Sequence, residues 1–270
     1  MTGIMQPTGE DHSGTTAVLD AVSDQAVDHF HEQGFVHVPR LLTEQEVTRL
    51  RAAALDAQAD GGYLTSRFMD RTGIVATEDG WERNATLREF ALHPRIGSTA
   101  EKIARMPLRA WGGEVLVKPA GQATPTPLHD DFTNELLHSR LTLTCWIALV
   151  DVPVERGSLC FLPGSHRRGD PYRVDAGEFE HNIHAYVFQH WPGLRWSQRV
   201  TVPLRAGDAT FHHSRIAHQA GANVTDEARV SFTVTFTDAD ATYQPQPGND
   251  PLDMAPGQAL PDDRYPRVAG

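Results

Sequence analysis

The period of the apolar positions divides this chain in two. Residues 1–21 are polar, Gly/Thr-rich and aperiodic, which predicts a disordered tail. Ser23 to Gln33 places Ala26, Val27 and Phe30 on one helical face, with Gly34 as the stop. Phe35 to Val38 reads as a short strand closed by Pro39. Thr43-x-x-Glu46 is a capping box opening a second helix, with Val47, Leu50, Ala54 and Leu55 as its apolar stripe and Gly61-Gly62 as its end. Two more helical stretches run from Ala85 to Ala91 and from Pro94 to Arg105.

From Glu114 onward the period becomes two. Glu114 to Lys118 reads as a strand broken at Pro119. In Arg140 to Val150, Leu141, Leu143, Cys145, Ile147 and Leu149 alternate with Thr142, Thr144, Trp146 and Ala148. In Val230 to Thr237, Val230, Phe232, Val234 and Phe236 alternate with Ser231 and three threonines, predicting a half-buried antiparallel strand. Val200 to Leu204 and Ala209 to His213 add shorter strands around Ala206-Gly207-Asp208. Helices followed by short strands predict an α+β fold, mainly β, with a sandwich or barrel braced by N-terminal helices. No internal repeat or domain boundary is visible, so residues 22–243 read as one domain. Arg167 to Arg199 is long and aromatic, the pattern of a lid or binding loop. Residues 244–270 are Pro-, Asp- and Gly-rich and read as an extended surface tail.

Composition narrows the class. Of 270 residues, 40% are hydrophobic, ample for a core, and the net charge of −11 argues against nucleic acid or an anionic membrane as partner. Cys145 and Cys160 both fall in apolar runs and read as buried thiols, which suits a reducing cytoplasm. No early apolar run resembles a signal peptide, and no stretch approaches the length of a membrane span.

Fourteen histidines direct attention to metal chemistry. His129 and Asp131 stand two positions apart after a Gly/Pro/Thr-rich turn, so an extended chain presents both to one point. Phe211 to Asn223 offers three further histidines: His212, His213 and His218. Two histidines and a carboxylate form the facial triad of non-heme Fe(II) oxygenases, while zinc hydrolases use similar sets. Arg229 opens the alternating strand, eleven residues after His218, and a buried guanidinium there needs an anion. A diacid that chelates iron at one end and meets arginine at the other is 2-oxoglutarate; the alternative is a rim salt bridge to Asp226 or Glu227.

In order and spacing these stretches resemble the phytanoyl-CoA dioxygenase family of Fe(II)/2-oxoglutarate oxygenases. Lys118-Pro119 resembles the family's Lys-Pro strand end, and His129-x-Asp131 its iron motif. Trp146 to Gly157 and Pro163-Gly164-Ser165-His166 resemble its Trp strand and the following turn. His218 and Asn223 match its His-x-x-Gly-x-Asn block, and Arg229 its cosubstrate arginine. The resemblance runs from about Phe35 to Phe236. It implies a double-stranded β-helix (jelly-roll, cupin-like) core, with Fe(II) on His129, Asp131 and His218. Arg229, Lys118 and Trp146 then lie at the 2-oxoglutarate, and O2 is the oxidant. It also implies that His213 is no ligand, that His212 stands where Phe is usual, and that His166 holds the lid base. Ala220 and Arg215 depart from the family pattern. Asp131 is retained, where related halogenases carry Ala or Gly.

The implied activity is oxidation of an unactivated C–H bond of a small molecule, hydroxylation by default, with release of succinate and CO2. Desaturation, epoxidation, epimerisation and cyclisation share the same site. The acidic chain and the aromatic lid favour a ring-containing natural-product intermediate over an acyl-CoA. The lid supplies Tyr186, Phe188, His184 and Trp191 as candidate substrate contacts, with Arg215 beside them. Two rivals come from other classes: a zinc hydrolase, for which Asp130 is the only near general base, and a non-catalytic binding jelly roll. The oligomeric state is not legible.

Overall fold

A computed structural model of the chain describes residues 22–59, 74–77, 80–132, 135–168, 186–245 and 250–268. The expected N-terminal tail, the Gly61-Gly62 stop, His184 and most of the lid before Tyr186 lie outside these residues.

Local chemistry starts and stops the first helices. Ser23 caps α1 (Asp24–Gln33) by accepting from the Ala26 N–H at 3.2 Å, and Gly34 ends it at φ 87°. A Cβ at Gly34 would also meet His166 Nδ1 at 2.5 Å, so glycine is required twice over. The strand β1 (Phe35–Val38) follows. In the capping box, Thr43 N–H donates to Glu46 Oε2 at 2.8 Å and Glu46 N–H returns to Thr43 Oγ1 at 3.3 Å, opening α2 (Glu44–Ala59). Val47, Leu50, Ala53 and Ala54 are its buried face; Leu55, expected in the stripe, is exposed, and Ala53 takes the inward position. Next come β2 (Val75–Thr77), α3 (Gly80–Arg83), α4 (Ala85–Ala91) and α5 (Pro94–Ala104).

The remaining strands are β3 (Leu108–Lys118), β4 (Thr126–His129), β5 (Leu137–His138), β6 (Thr142–Ala148), β7 (Leu159–Phe161), β8 (Val200–Val202), β9 (Ala209–His213), β10 (His218–Ala220), β11 (Arg229–Asp238) and β12 (Thr242–Tyr243). A six-stranded antiparallel sheet has the order β1-β9-β6-β11-β3-β2, and a four-stranded one the order β4-β10-β7-β8. One face of the large sheet, from Leu143, Cys145 and Ile147 to Phe232 and Val234, forms a single core with Phe30, Leu50, Phe90 and Ile103 of the helices. Each such side chain contributes roughly 1.5–3 kcal/mol when buried, which keeps the helices on that face.

The strand β11 is buried on both faces, not half-buried as its alternation predicts. Its polar positions face the small sheet, and Ser231 and Thr233 satisfy their hydroxyls on backbone carbonyls of β3. Trp146, Ala148, Phe161, Leu159 and Ala220 form the second core, between the two sheets. The large sheet therefore turns apolar residues to the helices and a polar row, including Lys118, Thr144, His212 and Arg229, to the interior. The site is built on that row.

The C-terminal segment is irregular but docked. Arg109, buried, donates to the carbonyls of Ala239, Leu260 and Tyr265 and pairs with Asp262 at 3.0 Å. Tyr265 stacks on Trp111 with ring centroids 4.5 Å apart.

Candidate metal centre and anion site

His129 ends β4 and His218 begins β10; the register pairs them directly. Each ring is oriented by the carbonyl two residues before it. His129 Nδ1 donates to Pro127 O at 2.7 Å and His218 Nδ1 to Ile216 O at 3.1 Å, so both Nε2 lone pairs point inward. Asp131 follows β4, its backbone N–H donating to Ser214 O at 2.9 Å. Its Oδ1 lies 3.9 Å from His129 Nε2 and 3.7 Å from His218 Nε2. The three candidate ligand atoms fall within 4.8 Å of one another. Burial, aided by the neighbouring His218, pushes His129 down to about 4, and burial likewise lowers His218. Both rings are thus neutral at pH 7, the form that binds metal. Burial raises the Asp131 pKa, but His218 and the His212 hydrogen bond outweigh it and hold the carboxylate ionised. Two neutral imidazoles and one carboxylate suit Fe(II) with open positions.

A second cationic centre closes the other end of the interior. Arg229 opens β11 directly opposite Lys118, the last residue of β3. Both side chains are buried, Arg229 1% and Lys118 0% exposed. Arg229 Nη1 donates to Gly157 O at 3.0 Å, Nε has no partner among the described residues, and the guanidinium lies over Trp146 at 5.5 Å. Burial alone moves Arg229 down to about 10. Burial, then the charge of Arg229, brings Lys118 down to about 7. The alternative rim pairing is not formed: Glu227 pairs with Arg156 instead. Lys118 Nζ spends its donors on Thr124 O, Thr126 Oγ1 and Gly221 O. It pins the turn before β4, and its charge adds to that of Arg229. Asn223 holds this corner, donating to Lys118 O, Pro119 O and Glu227 O. Two buried cations opposite one another are unfavourable without an anion, so the arrangement fits one carboxylate of a diacid.

On the lid side, Asp130 turns from the metal cluster into a buried ion pair with Arg168, Nη2 to Oδ2 at 2.5 Å. That engages Asp130, the carboxylate the sequence offers a hydrolase as general base, in an ion pair. The Arg168 guanidinium also lies 4.2 Å over Trp191, and Arg215 Nη2 donates to Arg168 O at 2.6 Å while lying over Phe132. Tyr186 begins α6 (Tyr186–His190). Phe188 and Trp191 pack with Val187 against Leu128 and Ala217, the chain neighbours of the candidate ligands His129 and His218. Sequence reasoning did not find the Asp130–Arg168 pair, because a contact across 38 residues leaves no local pattern.

His213 alternates with His212 and faces the helices. Its Nδ1 accepts from Arg215 N–H at 3.0 Å, and its ring stacks on Phe30. Burial, then the nearby His166 and Arg215, pushes its pKa down to about 3. Unfolded, the ring takes a proton near the ordinary value of ~6.5. As pH falls below that value the unfolded state binds the extra proton, and stability drops by about 1.4 kcal/mol per pH unit. In His213→Asn, whose amide oxygen can replace Nδ1 as acceptor, the stability lost between pH 6.5 and 5 is expected to shrink by about 2 kcal/mol. Urea unfolding at both pH values measures it; an unchanged loss would show that His213 already titrates normally.

Comparison with known proteins agrees with this geometry. The profile of the phytanoyl-CoA dioxygenase (PhyH) family matches residues 30–231. Peroxisomal phytanoyl-CoA dioxygenase of Bos taurus is 22% identical over 231 residues, 79% of this chain and 68% of that protein. The non-heme α-ketoglutarate-dependent carbocyclase SnoK from nogalamycin biosynthesis superposes with a TM-score of 0.79 at 38% identity, covering 92% of this chain and 97% of its own. The epimerase SnoN, in complex with Fe3+, α-ketoglutarate and nogalamycin RO, gives the same TM-score and identity over 91% and 98%.

Proposed function

The chain belongs to the phytanoyl-CoA dioxygenase family of Fe(II)- and 2-oxoglutarate-dependent enzymes, and from that premise we propose that it oxidises an unactivated C–H bond of a natural-product intermediate. The observation that carries the reading is the pairing of the His129/Asp131/His218 cluster with the buried, anion-requiring Arg229–Lys118 couple. Fe(II) with 2-oxoglutarate supplies the oxidising power from O2, the cosubstrate leaving as succinate and CO2.

The residues of the chain do the rest. His129 and His218 offer neutral Nε2 lone pairs fixed by their Nδ1 bonds. Arg229 neutralises the far carboxylate of the cosubstrate, with Trp146 beneath it and Lys118 adding charge. Phe188 and Trp191, seated against the outer side of the metal strands, contribute an aromatic wall on the lid side, and Arg215 closes it towards Phe132. The two facing sheets are the halves of a double-stranded β-helix, and residues 22–243 form the catalytic unit.

Likeness to SnoK and SnoN over nine tenths of the chain favours a nogalamycin-like, ring-containing substrate over an acyl-CoA. Anaerobic addition of Fe(II) and 2-oxoglutarate is expected to give a weak visible charge-transfer band. With nogalamycin intermediates and O2, mass spectrometry then reads the outcome: a gain of about 16 for hydroxylation, a loss of about 2 for ring closure or desaturation, no change for epimerisation. Absence of the band with metal bound would overturn the reading.

A further inference from the structure

We propose that His212 is a positioning residue which, with Thr144, holds Asp131 so that only one carboxylate oxygen faces the metal. The inference rests on the iron reading above. His212 lies on β9 and Thr144 on β6, and the register places them directly opposite one another. Both side chains therefore reach the interior at the same point. His212 Nε2 lies 3.3 Å from Asp131 Oδ2, and Thr144 Oγ1 donates to the same oxygen at 3.0 Å. The other oxygen, Oδ1, faces His129 and His218. Just beyond His212 in the same chain segment, Ser214 O receives the backbone N–H groups of Asp131 and Phe132, both at 2.9 Å. One stretch of β9 and its turn thus fixes the ligand by side chain and main chain together.

Packing alone does not account for a histidine here. The ring is 2% exposed, flanked by Phe161 at 5.4 Å and His218 at 4.7 Å between centroids. A phenyl ring would suit those neighbours without a polar cost. Instead Nδ1 has no partner among the described residues, and Nε2 addresses only the ligand carboxylate. An unpaired buried ring nitrogen is tolerated where its partner nitrogen makes a valuable bond. Here that bond joins a donor to an ionised acceptor. Nor is His212 a fourth ligand: it bonds the oxygen turned away from the other two histidines. A carboxylate free to swing would bring both oxygens to the metal and occupy one of the positions that a chelating diacid and O2 require. Two donors on Oδ2 prevent the swing.

The test uses Co(II) as a spectroscopic probe on the full chain, without turnover. His212→Phe fills the space and removes the donor; His212→Gln keeps an N–H near the position of Nε2. His212→Phe is expected to weaken Co(II) binding about 10–100-fold with the melting temperature of the metal-free protein kept or raised. His212→Gln is expected to stay within about threefold of the wild type. Co(II) binding by His212→Phe within twofold of the wild type overturns the proposal. So does a His212→Gln variant as weak as His218→Ala, since His212 would then be a ligand. If His212→Phe does not fold, Thr144→Val carries the same test, with a loss of at least threefold expected and an unchanged affinity fatal. Failure of the wild type itself to bind Co(II) would instead overturn the iron reading.

Discussion

His218→Ala is expected to abolish both Fe(II) binding and substrate-dependent succinate formation. The loss should exceed the 10–100-fold that removal of a ligand's hydrogen-bond partner typically costs, because a ligand itself is gone. His218 and His129 are directly paired across β10 and β4, with ring centroids 4.3 Å apart, so they approach the metal from one sheet. Asp131 alone closes the set from the loop, held by β9 and β6. Removing His218 leaves a two-ligand site that neither neighbouring histidine among the described residues completes: His212 is committed to Asp131 Oδ2, and His213 faces the helices. The fold should survive, since what the described residues lose is the local bond to Ile216 O and the 3.7 Å approach to Asp131 Oδ1, neither of which joins the sheets to the helices. Titration calorimetry with Fe(II) under nitrogen and NMR detection of succinate measure the two effects. Undiminished turnover would remove the assignment.

The sequence was most informative where one physical rule acts locally. Gly34 and the Thr43–Glu46 box mark helix ends through bonds made within four residues, and both are found as expected. The strands β6, β9 and β11 are long enough for period two to show. In contrast, β7 and β10 have three residues each, too few for a period, and β4 contains Pro127, a residue that argues against a strand. The alternation of β11 predicts its pattern but not its exposure, because period two tells which residues share a face, not what covers it. The same limit shaped the site. Spacing placed His129 and Asp131 together, but the choice among His212, His213 and His218 needed the family resemblance. The structure explains the difference physically: His212 faces inward to a carboxylate, His213 outward to Phe30, and only His218 pairs with His129. Contacts such as Asp130–Arg168 and Arg109 with the C-terminal carbonyls join distant segments and had no sequence signal.

Arg229→Leu should separate stability from cosubstrate binding, moving the two in opposite directions. In the protein without cosubstrate, Arg229 is a buried cation with one carbonyl contact, an unpartnered Nε and a lysine as its cross-strand partner. Burial works against both charges, lowering Arg229 to about 10 and Lys118 to about 7. An apolar side chain of similar reach removes that repulsion, so the melting temperature of the metal-free protein should hold or rise; replacing buried charges by packed apolar groups is often neutral or stabilising. With 2-oxoglutarate bound the sign reverses. The distal carboxylate then has lost the fork that pairs with it, and truncating one partner of a buried charge pair costs about 2–5 kcal/mol. That corresponds to a dissociation constant raised roughly 30-fold or more. Lys118 cannot compensate, because its three donors already hold Thr124, Thr126 and Gly221. The expected result is therefore a variant at least as stable as the wild type, with normal Fe(II) affinity, whose 2-oxoglutarate-induced thermal shift and charge-transfer band vanish at concentrations that saturate the wild type. A variant that still binds 2-oxoglutarate normally would show that the diacid's far carboxylate is held elsewhere. A large loss of stability without cosubstrate would show that Arg229 is a structural pin, and the anion-requiring couple would have to be abandoned.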